Sequence, residues 1–209
     1  MVEARDPHLW TCGLLQEEEA LIVHAAEKRR REFTAGRNCA RLALQRLGIV
    51  PTAIGIGSFR EPLFPAGVSG SITHTQEYCA AAVIRTGAVA SIGIDAESNE
   101  PLSQSVADII LNSNEQLMAQ ASGNDCCVDM LVFSIKEAFF KAIFPLCRQY
   151  QEFTDAIVAL SPADHTFSVR VVRADVMAHL GGTKILGRYR YDARRIYSAV
   201  SLLNSSHTF

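Results

Sequence analysis

The chain has 209 residues, enough for one domain of about 200 residues or two of about 100. It is 48% hydrophobic and 20% charged, which excludes a disordered chain. Its net charge of −2 gives no general pull towards nucleic acid or membranes.

No apolar run approaches the ~20 residues needed to span a bilayer. The start, Met1 to Asp6, lacks the basic and apolar stretches of a secretory signal. The six cysteines (Cys12, Cys39, Cys79, Cys126, Cys127 and Cys147) form no Cys-x-x-Cys pair and lie at no zinc spacing from a histidine. Small buried thiols in a reducing compartment, and so a cytoplasmic protein, are expected.

In chain order, Glu17 to about Leu47 reads as helix in two pieces, with Gly36 as the joint and Gly48 as the end. The second piece places Cys39, Leu42, Ala43 and Leu47 on one apolar face. Residues 51–70, with Pro51, Pro62 and Pro65, read as loop. Strands follow at Tyr78 to Arg85 and Ala88 to Asp95, and Thr86-Gly87 between them reads as a hairpin turn.

Ser113-Asn114-Glu115-Gln116 has capping-box spacing and opens a short helix. A stronger helix runs from Asp129 to about Phe144, stopped by Pro145. Strand alternation marks Phe153 to Leu160, Phe167 to Arg173, Lys184 to Tyr191 and Ile196 to Leu203. Gly181-Gly182 reads as a turn or hinge, and Asn204 to Phe209 as a frayed tail. This order suggests an α+β fold. A polar break at Ser98 to Pro101 divides it into residues 1–100 and 101–209.

Four groups can carry chemistry. Ile92-Gly93-Ile94-Asp95-Ala96-Glu97 ends an apolar strand, and alternation points Asp95 and Glu97 the same way. The pair is either a solvated acidic turn or two oxygen ligands whose repulsion Mg²⁺ would relieve. Glu137 and Lys141 lie four apart on the stronger helix, beside Phe133, Phe139, Phe140 and Phe144. They are either a surface ion pair or, in so apolar a stretch, charges with a partner or metal.

Gly70-Ser71-Ile72-Thr73-His74-Thr75 is either an ordinary turn with a satisfied histidine or a set of phosphate donors from backbone, hydroxyl and imidazole. Lys28, Arg29, Arg30, Arg31, Arg37 and Arg41 form either a solvated face or a phosphate grip. Arg30, Arg37 and Arg41 are expected near one another, with Arg29 joining Arg37 across a broken helix. No aromatic stripe interleaves the basic residues, which argues against nucleic-acid binding.

Together, these motifs make the chain similar to the 4′-phosphopantetheinyl transferases of the monomeric, secondary-metabolism type, such as the enterobactin synthase component D group. The likeness covers roughly residues 27–142. It runs through REFTAGR (Arg31 to Arg37), CAR (Cys39 to Arg41), EPLFPAG (Glu61 to Gly67), GSITHT (Gly70 to Thr75), GIDAE (Gly93 to Glu97) and FSIKEAFFK (Phe133 to Lys141).

The resemblance implies a pseudo-two-fold fold of two similar α/β subdomains, each with antiparallel strands packed on helices. It implies Mg²⁺ (with Mn²⁺ as the alternative) on Asp95, Glu97 and Glu137. Coenzyme A phosphates would meet Arg29, Arg37, Ser71, Thr73, His74 and Lys141. Ile56 stands where some relatives carry a lysine, and Arg60 is the substitute considered.

The implied reaction moves 4′-phosphopantetheine from coenzyme A to a serine of an apo carrier protein and releases 3′,5′-ADP. Glu137 would be the base, and Lys141 and Asp95 its catalytic neighbours. The enzyme would act as a monomer in siderophore, nonribosomal peptide or polyketide synthesis. Two other readings stay open, a Mg²⁺-dependent nucleotide hydrolase and a non-catalytic coenzyme A- or carrier-binding protein.

Overall fold

The computed structural model describes residues 1–123 and 125–204. The chain divides into two units, Met1–Gly87 and Ala88–Phe209, each with its own core. The division falls after Gly87 rather than at Pro101, so the Asp95 strand belongs to the second unit.

The first unit packs helix α2 on an antiparallel sheet. Its elements are β1 (Val2–Glu3), α1 (Gln16–Ala20), α2 (Glu27–Arg46), β2 (Gly55–Ile56), β3 (Pro62–Leu63), β4 (Val68–Thr75) and β5 (Tyr78–Arg85). The main sheet has the order β1-β5-β4, and β2 and β3 pair separately, so residues 51–70 are not all loop.

Helix α2 runs unbroken through Gly36. The expected joint is instead a point of close approach, because a Cβ on Gly36 would lie 2.9 Å from Ile72 Cγ2. The break between the two helical pieces lies at residues 21–26, while Gly48, at φ +68°, does end the second piece. On α2 the core face is Cys39, Ala40, Ala43 and Leu44; Leu42 is exposed and Leu47 only partly buried.

The second unit holds β6 (Val89–Ser98), α3 (Gln104–Ile110), α4 (Ser113–Gln120), α5 (Val128–Cys147), β7 (Ala156–Ser161), β8 (Thr166–Val171), α6 (Ala174–Leu180), β9 (Lys184–Tyr191) and β10 (Arg195–Leu203). Its antiparallel sheet has the order β6-β10-β9-β8-β7. The expected hairpin through Thr86-Gly87 does not form. Strand β5 pairs with β4 across Gln76-Glu77, and β6 pairs with β10, about a hundred residues later.

The α4 cap is Asn112, whose side chain accepts from the backbone of Asn114 and Glu115, while Glu115 returns to the Asn112 N–H. The box is therefore one residue earlier than Ser113. Helix α5 continues to Cys147 with Pro145 in its last turn, where the lost N–H costs one backbone bond. Helices α3 and α6 escaped the sequence reading, and Gly181 and Gly182, both at positive φ, follow α6 as its end. Of the expected tail, residues 205–209 lie outside the described residues.

Two features seat α5. A Cβ on Gly93 of β6 would lie 1.9 Å from the Ala138 carbonyl oxygen, so only glycine lets strand and helix meet there. On the neighbouring strand, the Ser134 and Ser198 hydroxyls are 2.8 Å apart.

All six cysteines are free thiols. Cys39, Cys79 and Cys147 are buried, Cys12 is exposed, and Cys126 and Cys127 are intermediate, so the expectation of buried thiols holds for only half of them. Among the described residues no helix is long and apolar enough to cross a membrane.

Candidate active site

In the second unit, the period of two along β6 puts Gly93, Asp95 and Glu97 on the side that meets α5. Lys141 of α5 reaches Asp95, with Nζ 2.6 Å from Oδ1. Asp95 is 4% exposed, whereas the Lys141 side chain is 31% exposed. Burial alone would lower the ammonium pKa, but attraction to Asp95, Glu137 and Glu97 holds it above the ordinary lysine value. Burial raises the Glu137 carboxyl above its ordinary range; Lys141 pulls it down and Asp95 pushes it up.

The four groups expected from β6 and α5 are therefore electrostatic neighbours. They do not form a ready three-carboxylate cage. Among the described residues no three His, Cys, Asp or Glu side chains stand close enough to hold one ion. Their chemistry nevertheless fits Mg²⁺ or Mn²⁺. The donors are hard carboxylate oxygens, and Mg²⁺ takes one or two carboxylates and completes its shell with water and substrate phosphate.

In the first unit, Arg29, Phe33 and Arg37 follow one another at four-residue spacing on α2. The Arg29 and Arg37 guanidinium carbons lie 6.0 Å and 4.2 Å from the Phe33 ring centroid. The two arginines thus share one side of an intact helix and need no break to approach. Arg29 Nη1 lies 3.3 Å from His74 Nε2, and His74 Nδ1 lies 3.7 Å from Glu32 Oε2.

Arg37 is buried and donates through Nε to the Ile54 carbonyl at 2.8 Å and through Nη2 to the Gly55 carbonyl at 3.1 Å. Burial pushes its pKa down to about 10, against the pull of Glu18 and with the repulsion of Arg29 and Arg41.

Several expected members of this group are elsewhere. Ser71 and Thr73 belong to strand β4, not to a loop. They alternate with Ile72 and His74, so they occupy the face turned away from α2. Arg41 is buried, with Nη1 donating to Glu18 Oε2 and Nη2 to the Gly13 carbonyl. Arg30 donates to the Ile22 carbonyl. The expected Arg30–Arg37–Arg41 cluster is therefore not a phosphate grip. Arg60 is exposed at the β2–β3 turn, at φ +68°.

Sequence reasoning gave Glu115 only a place in a capping box and gave Lys136 no role. Lys136 is fully buried, and its Nζ donates to Glu115 Oε2 at 2.8 Å, the Ile110 carbonyl at 2.7 Å and the Phe153 carbonyl at 2.9 Å. The signal was present, since Lys136 shares the apolar stripe of Val132, Phe139 and Ile143. Glu32 and Phe33, beside the arginines, were also passed over; their helical spacing from Arg29 and Arg37 was the available signal.

Comparison with known proteins matches both units. Residues 17–84 match a 4′-phosphopantetheinyl transferase N-terminal domain, and residues 91–191 match the 4′-phosphopantetheinyl transferase superfamily. The chain is 42% identical over 147 residues to 4′-phosphopantetheinyl transferase Npt of Nocardia iowensis, covering 70% of this chain and 66% of that protein. It is 36% identical over 194 residues to 4′-phosphopantetheinyl transferase PptT of Mycobacterium tuberculosis, covering 90% of this chain and 86% of that protein. Enterobactin synthase component D of Salmonella typhi is 36% identical over 123 residues, 56% of this chain and 50% of that protein.

Proposed function

The chain belongs to the 4′-phosphopantetheinyl transferase superfamily, and from that premise we propose that it moves the 4′-phosphopantetheine arm of coenzyme A onto a serine of an apo carrier protein. The observation that carries this reading is the meeting of Asp95, Glu97, Glu137 and Lys141 in the unit that matches the superfamily. Of Asp95, Glu97 and Glu137, the three proposed ligands, one or two at a time would hold Mg²⁺, which would supply neutralisation of pyrophosphate charge when bound.

The chain's own groups have these roles. The carrier serine oxygen bonds to the β-phosphorus of coenzyme A, and the bond from that phosphorus to the bridging oxygen breaks, releasing 3′,5′-ADP. Glu137 accepts the serine proton; a carboxyl raised above its ordinary range by burial suits a base. Lys141 steadies charge on the phosphate or supplies a proton to the departing oxygen. Arg29, Arg37 and His74 of the first unit are assigned to the nucleotide-end phosphates, with Arg60 as a further candidate; the Ser71 and Thr73 side chains, on the other face of β4, are not. The enzyme would act as a single chain in the cytoplasm, on carriers of siderophore, nonribosomal peptide or polyketide synthesis.

The test is transfer from coenzyme A to an apo carrier, followed by mass spectrometry of the carrier and by release of 3′,5′-ADP. Both are expected only with carrier and divalent metal present. Nucleotide release without any carrier would point to a hydrolase and overturn the reading.

The carrier surface is assigned to α3 and α4, where Val106, Ile109 and Leu117 are 40%, 69% and 63% exposed. Met118, next to Leu117 on α4, packs against the core instead. Ile109→Asp and Leu117→Asp are expected to raise KM for the carrier by about tenfold and to leave KM for coenzyme A unchanged. Equal shifts in both constants would count against this surface.

A further inference from the structure

Lys141 and Lys136 lie on one helix but are held in opposite ways. Lys136 is sealed, with three acceptors on its ammonium. Lys141 keeps a side chain that is 31% exposed, and its ammonium donates to Asp95, a carboxylate already expected to bind metal. Of the two partners in that contact, Asp95 is the fixed one, 4% exposed on a central stretch of β6. The lysine, with four methylenes and a solvent-facing side, can leave without moving the helix.

We propose that Lys141 is the resident cation of the acidic group, seated on Asp95 until a divalent ion takes its place and a coenzyme A phosphate receives the ammonium instead. An ammonium 2.6 Å from Oδ1 competes with a divalent ion for that carboxylate, because it occupies a lone pair and the two cations repel each other. The exchange makes metal and coenzyme A binding mutually reinforcing: the phosphate gives the displaced ammonium a new partner, and the metal frees the ammonium for the phosphate. This inference rests on the transferase reading for the identity of the phosphate ligand, while the competition at Asp95 does not depend on it.

The experiment titrates Mn²⁺ into the intact protein, reading free Mn²⁺ by electron paramagnetic resonance, with and without coenzyme A and with no carrier present. Without coenzyme A, Lys141→Met is expected to bind Mn²⁺ about tenfold more tightly than the wild type. Coenzyme A should then strengthen Mn²⁺ binding less in that variant than in the wild type. Lys141→Arg keeps the charge and should stay near the wild type.

Equal or weaker Mn²⁺ binding by a folded Lys141→Met would overturn the exchange. Thermal melting establishes folding first, and if Lys141→Met melts early, the same comparison with Lys141→Gln decides. Carrier labelling by the wild type is measured alongside. Tighter Mn²⁺ binding by the variant, with no labelling by the wild type, would fell the transferase reading and leave the exchange standing. Labelling together with unchanged Mn²⁺ affinity would fell the exchange alone.

Discussion

Asp95→Ala and Glu137→Ala are each expected to cut the rate of carrier labelling by about 10²–10³, the scale of losing one preorganised electrostatic group from a reacting centre. Each removal acts on more than one neighbour. Without Asp95, Lys141 loses the oxygen 2.6 Å away and the acidic group loses its most buried member. Without Glu137, the assigned base is gone, and so is a carboxylate that pulls on Lys141.

The fold should suffer little by comparison. Glu137 is held above the ordinary carboxyl range first by burial and then by Asp95, so its ionised form is disfavoured where it stands. Removing either carboxylate relieves like-charge repulsion even as it weakens the hold on Lys141. Rates should therefore fall steeply while melting temperatures stay within a few degrees of wild type. Full labelling rates in both variants would end the assignment, and loss of rate in step with loss of fold would remove its meaning.

The second large effect is on stability. Lys136→Ala is expected to cost about 3–5 kcal/mol, the scale of leaving one partner of a buried ion pair uncompensated. That corresponds to a melting temperature lower by about 10 °C or more. Burial lowers the Lys136 pKa against the pull of Glu115, which marks an ammonium that depends on its partners.

Glu115→Ala should be at least as harmful, because Glu115 does more than pair. Its Oε1 accepts from the Val158 N–H at 2.8 Å and its Oε2 from the Asn112 N–H at 2.9 Å. The pair thus joins α5 to the end of α3, the cap of α4 and the start of β7. For that reason an apolar pair, Lys136→Met with Glu115→Leu, should not restore stability as it can for simple buried ion pairs; two backbone N–H groups would remain unmatched. Full recovery in urea or thermal melts would show that the backbone links contribute nothing.

Two buried ion pairs escaped the sequence reading for the same reason. Glu18 and Arg41 are 23 residues apart, and Glu115 and Lys136 are 21 apart. Each partner alone reads as an ordinary surface charge. Only Lys136, set in an apolar stripe, carried a warning in its own spacing.

What the sequence by itself determined is local. A period of two put Asp95 and Glu97 on one side of a strand, and a four-residue step put Glu137 and Lys141 on one side of a helix. Alternation also found β5 and β9 at their observed limits. The tertiary structure decided which faces meet. It separated β5 from β6, sent Ser71 and Thr73 to the face away from His74, buried Arg41 against Glu18 and set Lys141 on Asp95.

The physical reason is that backbone period fixes which side chains share a face of their own element. The partner of that face is chosen by pairing between distant segments, as when β6 finds β10 and glycine at position 93 lets α5 close upon it.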